Sequence, residues 1–126
     1  MPVTYRLKSP LARYVTLTSD TCGDIAVSAP AWMWKEAGES VSTWFRDDET
    51  QTRTLSAPSA ETLLSRMAVS LMSRHIQNIV TRQRGCCRAD LVCCGWPLEV
   101  VARLGPQASR AAAKSRPDLV RDLYAA

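Results

Sequence analysis

Apolar and polar residues alternate along Val3-Thr4-Tyr5-Arg6-Leu7 and again along Tyr14-Val15-Thr16-Leu17-Thr18. A period of two, carried by β-branched and aromatic side chains, predicts two half-buried strands. Ser9-Pro10 separates them, and the cluster Asp20 to Gly23 predicts a turn after the second. Ser28-Ala29-Pro30 then reads as a helix start, with proline where its missing N–H costs nothing, and Gly38 as the stop. Beyond it, Val41 to Arg46 and Gln51 to Leu55 are expected to pair as a hairpin across an acidic tip of Asp47, Asp48 and Glu49.

The period changes after Pro58-Ser59-Ala60-Glu61, a capping sequence with an acid in the first turn. Leu63, Leu64, Met67, Ala68, Leu71, Met72, His75, Ile76, Ile79 and Val80 recur at intervals of three and four, which predicts a long central helix to about Arg84. Gly85, Gly95-Trp96-Pro97, Gly105-Pro106 and Ser115-Arg116-Pro117-Asp118 are expected to cut the remainder into short helices, the last capped by Ser115 and Asp118. The fold class that follows is α+β: a small antiparallel sheet in the N-terminal half packed on a long central helix, then short C-terminal helices.

Length changes this picture little. The 126 residues, 46 % apolar and 22 % charged, suit a single domain over 1–126, with strands mainly in 1–57 and helices mainly in 58–126. The most apolar run, Ile25 to Trp34, is ten residues long and contains a serine and a proline. A membrane span needs about 20 apolar residues, so no membrane role is expected. The basic, apolar-poor start reads as no secretory signal. Five cysteines are an odd number, and four crowd into Cys86 to Cys94, which suits reduced thiols in a cytoplasmic protein. Thirteen arginines against three lysines, with abundant alanine, suggest a GC-rich bacterial or phage genome. Residues 1–73 carry 7 basic and 8 acidic side chains, whereas 74–126 carry 9 and 4. The helical half is therefore the basic pole, suited to an acidic partner.

Candidate chemistry is sparse. Cys86-Cys87 and Cys93-Cys94 are vicinal pairs, unlike the two-to-four-residue spacing of a zinc knuckle. On a helix the pairs would sit ~10 Å apart along the axis, too far for one ion. Small buried apolar residues are the expectation for all four, with no metal and no cofactor. His75, the single histidine, lies on the edge of the apolar stripe and reads as structural. No paired-carboxylate sequence, phosphate loop or nucleophile elbow is present, so no catalytic residue is assigned and an enzyme is not expected.

Two binding readings remain. Residues 97–111 resemble a bacterial helix-turn-helix: a helix ending in Leu104-Gly105, a short turn and a second helix. Pro106 and Lys114 stand where such motifs carry apolar residues. The resemblance implies a DNA-binding transcriptional regulator that presents Gln107, Ser109, Arg110, Lys114 and Arg116 to nucleic acid. The tryptophans point elsewhere, because four of them accompany a single phenylalanine. Trp32 and Trp34 would lie about 200° apart on a helix, and Trp44 shares its predicted strand face with Ser42 and Arg46. At least one indole is then expected outside the core, where tryptophan marks binding hot spots. The leading expectation is a non-enzymatic bacterial or phage regulatory protein: an inhibitor, anti-activator or adapter that binds a larger protein through Trp32, Trp34 and Trp44. The oligomeric state is left open.

Overall fold

A computed structural model describes residues 3–5, 10–19, 23–83, 85–115 and 124–125, the first and last of these runs as backbone only. The fold is α+β. It divides into two compact units, Met1–Met67 and Ala68–Ala126, with one helix running across the division.

The first unit is built on an antiparallel sheet of four consecutive strands: β1 (Val3–Tyr5), β2 (Thr16–Ser19), β3 (Ile25–Pro30) and β4 (Thr50–Leu55). A single 3-10 turn, Leu11–Arg13, precedes β2. Alternation sets the faces. Val27 and Ala29 point into the core with Leu17, while Thr16, Thr52 and Thr54 are exposed. Helix α1 (Ala31–Glu36) follows β3 directly and buries Ala31, Met33 and Trp34. It ends as its glycine requires: Gly38 has φ +91°, its N–H reaches the Lys35 carbonyl at 3.0 Å, and the Glu39 N–H reaches the Trp34 carbonyl at 3.0 Å. Helix α2 (Ala57–Arg82) contributes Ala60, Leu63 and Met67 to this core, and its Arg66 donates to the Ala37 carbonyl at 3.0 Å.

In the second unit the later turns of α2 bury Leu71, Met72 and Ile76. A short strand β5 (Cys86–Cys87) leads into α3 (Arg88–Cys93), and α4 (Leu98–Ser115) follows the Gly95–Pro97 break. β5 pairs in parallel with β6 (Tyr124–Ala125). Val101, Leu104, Gly105, Ala108 and Ala112 form the buried stripe of α4. Gln77 donates to the Ala112 carbonyl at 3.4 Å, and buried Trp96 donates its indole N–H to His75 Nδ1 at 2.8 Å.

Three sequence expectations are corrected. Residues 28–30 end a strand that was not expected, and the expected helix starts directly after them at Ala31, with Pro30 as its N-cap. β3 is the central partner of β4, and Pro30 fits because its position faces Thr50 in a pair that needs no proline N–H. Second, Val41 to Arg46 is a loop, so the hairpin with Gln51 to Leu55 does not form; β3 takes that partner instead. Third, Gly105-Pro106 does not break α4, which continues through Pro106. Glycine lacks the Cβ that would collide with the proline ring, and the carbonyl that Pro106 leaves without a donor belongs to exposed Ala102, where water reaches it. The predicted turn at Asp20 to Gly23 falls largely, and the Ser115–Asp118 cap mostly, outside the described residues, as do Arg6 and Leu7 of the first predicted strand.

Candidate functional site

The three tryptophans singled out from the sequence have three different environments. Trp34 is fully buried. Its indole N–H donates to the carbonyls of Ala29 at 3.0 Å and Gln51 at 3.2 Å, and the Arg53 guanidinium lies 4.8 Å above its ring. It staples α1 to β3 and β4 and has no surface with which to hold a partner, so its place among the binding residues is withdrawn. Trp32 is half-buried and meets Tyr14 edge-on at 5.5 Å. Trp44 is 91 % exposed, and Phe45 beside it is also exposed. With no strand over Val41 to Arg46, both rings lie outside the core.

The loop that carries Trp44 is fastened at its far end. The Ala31 N–H donates to the Glu49 carbonyl at 2.8 Å, and the Trp32 N–H donates to the Asp47 carbonyl at 3.0 Å. Lys35 meets the Asp47 carboxylate at 3.1 Å. A tight turn adds the Phe45 N–H on the Ser42 carbonyl at 3.2 Å and the Trp44 N–H on the Ser42 hydroxyl at 3.3 Å. At its near end Glu39 receives Arg53 at 3.5 Å and Arg66 at 3.3 Å, while Arg53 also donates to the Ser40 carbonyl. An exposed indole is thus held on a loop whose backbone is already ordered. Such a platform loses little entropy when a partner covers it.

No known protein family, curated protein or solved structure matches this chain. The residues themselves must therefore carry the functional argument.

On α4, the residues assigned to nucleic acid stand on one continuous helix. Gln107, Arg110 and Lys114 are exposed and share a stripe with Glu99 and Arg103, opposite the buried one; Ser109 lies half-buried at its flank. Arg116 lies outside the described residues. Arg103 was not singled out from the sequence, because a turn at Gly105-Pro106 would have placed it on a different helix. The helix-turn-helix reading loses its turn.

The cysteines also differ from expectation. Of the four, Cys86 is buried, Cys87 and Cys93 are exposed and Cys94 is half-buried. Burial pushes the Cys86 thiol up to about 12, helped by the nearby Asp90 carboxylate, and burial raises Cys94 as well. Asp90 accepts the Cys87 N–H at 2.9 Å and its S–H at 3.4 Å, which holds that carboxyl below its usual range. The pair closes the N-terminus of α3. Among the described residues no three His, Cys, Asp or Glu side chains gather as metal ligands. A cleft of about 420 Å³ beside the start of α2 is lined by Leu55, Pro58, Ser59, Thr62 and Leu63. Its charged groups, Glu39 and Arg66, neutralise one another at 3.3 Å. No described helix is long and apolar enough to cross a membrane.

Proposed function

We propose that this chain is a small non-enzymatic regulatory protein of bacterial or phage origin that acts in the cytoplasm by stoichiometric binding to a larger protein. The observation that carries the reading is Trp44, 91 % exposed on an anchored loop with Phe45 alongside. A tryptophan side chain offers roughly 200 Å² of apolar area and one N–H donor. Leaving it in water forgoes several kcal/mol at about 25 cal/mol per Å², which a partner's pocket would recover. Half-buried Trp32 and exposed Tyr14 supply a second aromatic patch on the same unit. Inhibitor, anti-activator and adapter are the forms such binding takes.

The experiment is capture of the target from the native host, followed by titration of the purified pair. Trp44→Ala is expected to weaken binding by about 2 kcal/mol or more while leaving the fold intact. Full affinity in that variant would remove the loop from the interface.

A second reading, nucleic-acid binding, is favoured by one observation: Arg103, Gln107, Arg110 and Lys114 share the exposed stripe of α4. On this reading affinity falls steeply with salt, because each neutralised phosphate releases counterions. Arg110→Ala and Lys114→Ala each reduce the salt slope by about one. Absence of DNA or RNA retardation at low salt removes this reading and leaves the first untouched.

A further inference from the structure

The outer edge of β4 is unoccupied by any described strand, and the hydrogen-bond phase of the sheet tells what it offers. The Ala31 N–H donates to the Glu49 carbonyl at 2.8 Å, and these residues stand opposite in the same register as Ala29 and Gln51. Hydrogen-bonded and non-bonded pairs alternate in an antiparallel ladder. Gln51, Arg53 and Leu55 therefore spend their main-chain groups on β3, whereas Thr50, Thr52 and Thr54 turn theirs outward. The Ser28 and Thr52 hydroxyls meet at 2.7 Å, the close approach expected of a non-bonded pair. All three threonines are exposed. Edge strands are commonly guarded by proline, by lysine or by a bulge. β4 reads Thr-Gln-Thr-Arg-Thr-Leu, with a β-branched threonine at every outward position and neither proline nor lysine; its one charge, Arg53, lies on the other face and is paired with Glu39.

We propose that β4 is a homodimer interface: a second copy of this chain pairs its own β4 antiparallel to this one, about a two-fold axis at Thr52. The outward pattern is self-complementary. With Thr52 opposite itself, Thr50 faces Thr54 of the partner subunit and Thr54 faces Thr50 of the partner subunit. Each of these three pairs exchanges both of its main-chain bonds. On the other face Arg53 stands opposite Gln51 of the partner subunit, so the register sets no like charges directly across from one another. Within each copy Arg53 meets Glu39 at 3.5 Å, a carboxylate it shares with Arg66. Opposed threonines are a favourable cross-strand pair. An antiparallel two-fold closes after two copies, as an isologous contact must. This inference is independent of the role proposed for Trp44.

Sedimentation equilibrium of the full chain, with amide exchange at Thr50, Thr52 and Thr54, tests it. A reversible monomer–dimer equilibrium is expected, with protection of those three amides rising as concentration rises. Thr52→Pro removes only an outward N–H and leaves the β3 ladder intact. Thr52→Lys sets two charges across the axis. Each is expected to weaken dimerisation at least about tenfold without altering the circular dichroism of the monomer. If proline disturbs the fold, the lysine variant and the wild-type exchange data decide. The proposal is overturned if the wild type stays monomeric at about 1 mM, if it grows past two copies, if the threonine amides exchange freely in the dimer, or if the folded variants still dimerise. An extended peptide from another protein at this edge would appear as the monomeric outcome.

Discussion

Two tryptophans ten residues apart in sequence, Trp34 and Trp44, sit at opposite ends of the range of exposure, and that contrast makes a sharp residue-level prediction. Trp34→Ala removes a fully buried indole, its two carbonyl contacts and the platform beneath Arg53. It is expected to cost about 3–5 kcal/mol of stability. Trp44→Ala is expected to change the unfolding free energy, read from urea titration, by no more than about 0.5 kcal/mol. Equal losses in both variants would mean that Trp44 is packed in solution. A second pair gives an independent check in the other unit. Trp96 is buried and its N–H ends on His75 Nδ1 at 2.8 Å. In the neutral imidazole this arrangement puts the ring proton on Nε2. His75→Ala strands that indole donor and is expected to cost about 1–3 kcal/mol. Trp96→Phe in the same background should recover part of the loss, since the orphaned donor goes with the indole.

At the scale of elements, α4 poses the clearest question. A proline inside a helix removes one hydrogen bond and costs up to about 3 kcal/mol relative to alanine. Pro106→Ala is therefore expected to raise the thermal midpoint, because a continuous helix gains the missing bond to Ala102. A turn at that position would be insensitive to the change or weakened by it. Gly38 tests the end of α1 in the opposite direction. Its φ of +91° is strained for a residue with a Cβ, although the nearest group, Arg66 Nη1, is 3.7 Å from where that Cβ would lie. Gly38→Ala is expected to cost about 1 kcal/mol through the backbone alone. Asp90→Ala opens the N-terminal cap of α3, and faster exchange of the Cys87 amide is the direct readout.

For the whole molecule, pH dependence carries the signature of the buried thiol. A thiol whose folded value lies above its unfolded one favours folding below the unfolded value, and that advantage disappears as pH rises. Cys86 moves from 9.0 to about 12, so its contribution is complete below pH 9 and lost between 9 and 12. One proton limits the slope to about 1.4 kcal/mol per pH unit. Cys94 acts in the same direction. Urea titrations across that range should show an alkaline limb that flattens in Cys86→Ala. A limb unchanged in that variant would assign alkaline unfolding to other groups. Charge separates along the same division as packing: residues 1–67 carry seven basic and eight acidic side chains, and 68–126 carry nine and four. Any attraction to polyanions therefore belongs to the second unit, and the Trp44 loop to the first.

Periodicity by itself determined the α+β class, the first strands, the long helix and the glycine that ends α1, because each rests on local backbone preference repeated over several residues. It also determined that an indole would lie outside the core. Which indole was decided by tertiary structure. β3 and β4 found each other across twenty residues, and that pairing turned Val41 to Arg46 into a loop, lifted Trp44 and Phe45 into solvent and sealed Trp34 beneath Arg53. Strand pairing is a long-range choice, and an alternating segment cannot announce its partner. The same limit explains α4. Gly105-Pro106 has the local signature of a break, yet burial of Val101, Leu104, Ala108 and Ala112 on one side rewards continuity more than one missing hydrogen bond penalises it.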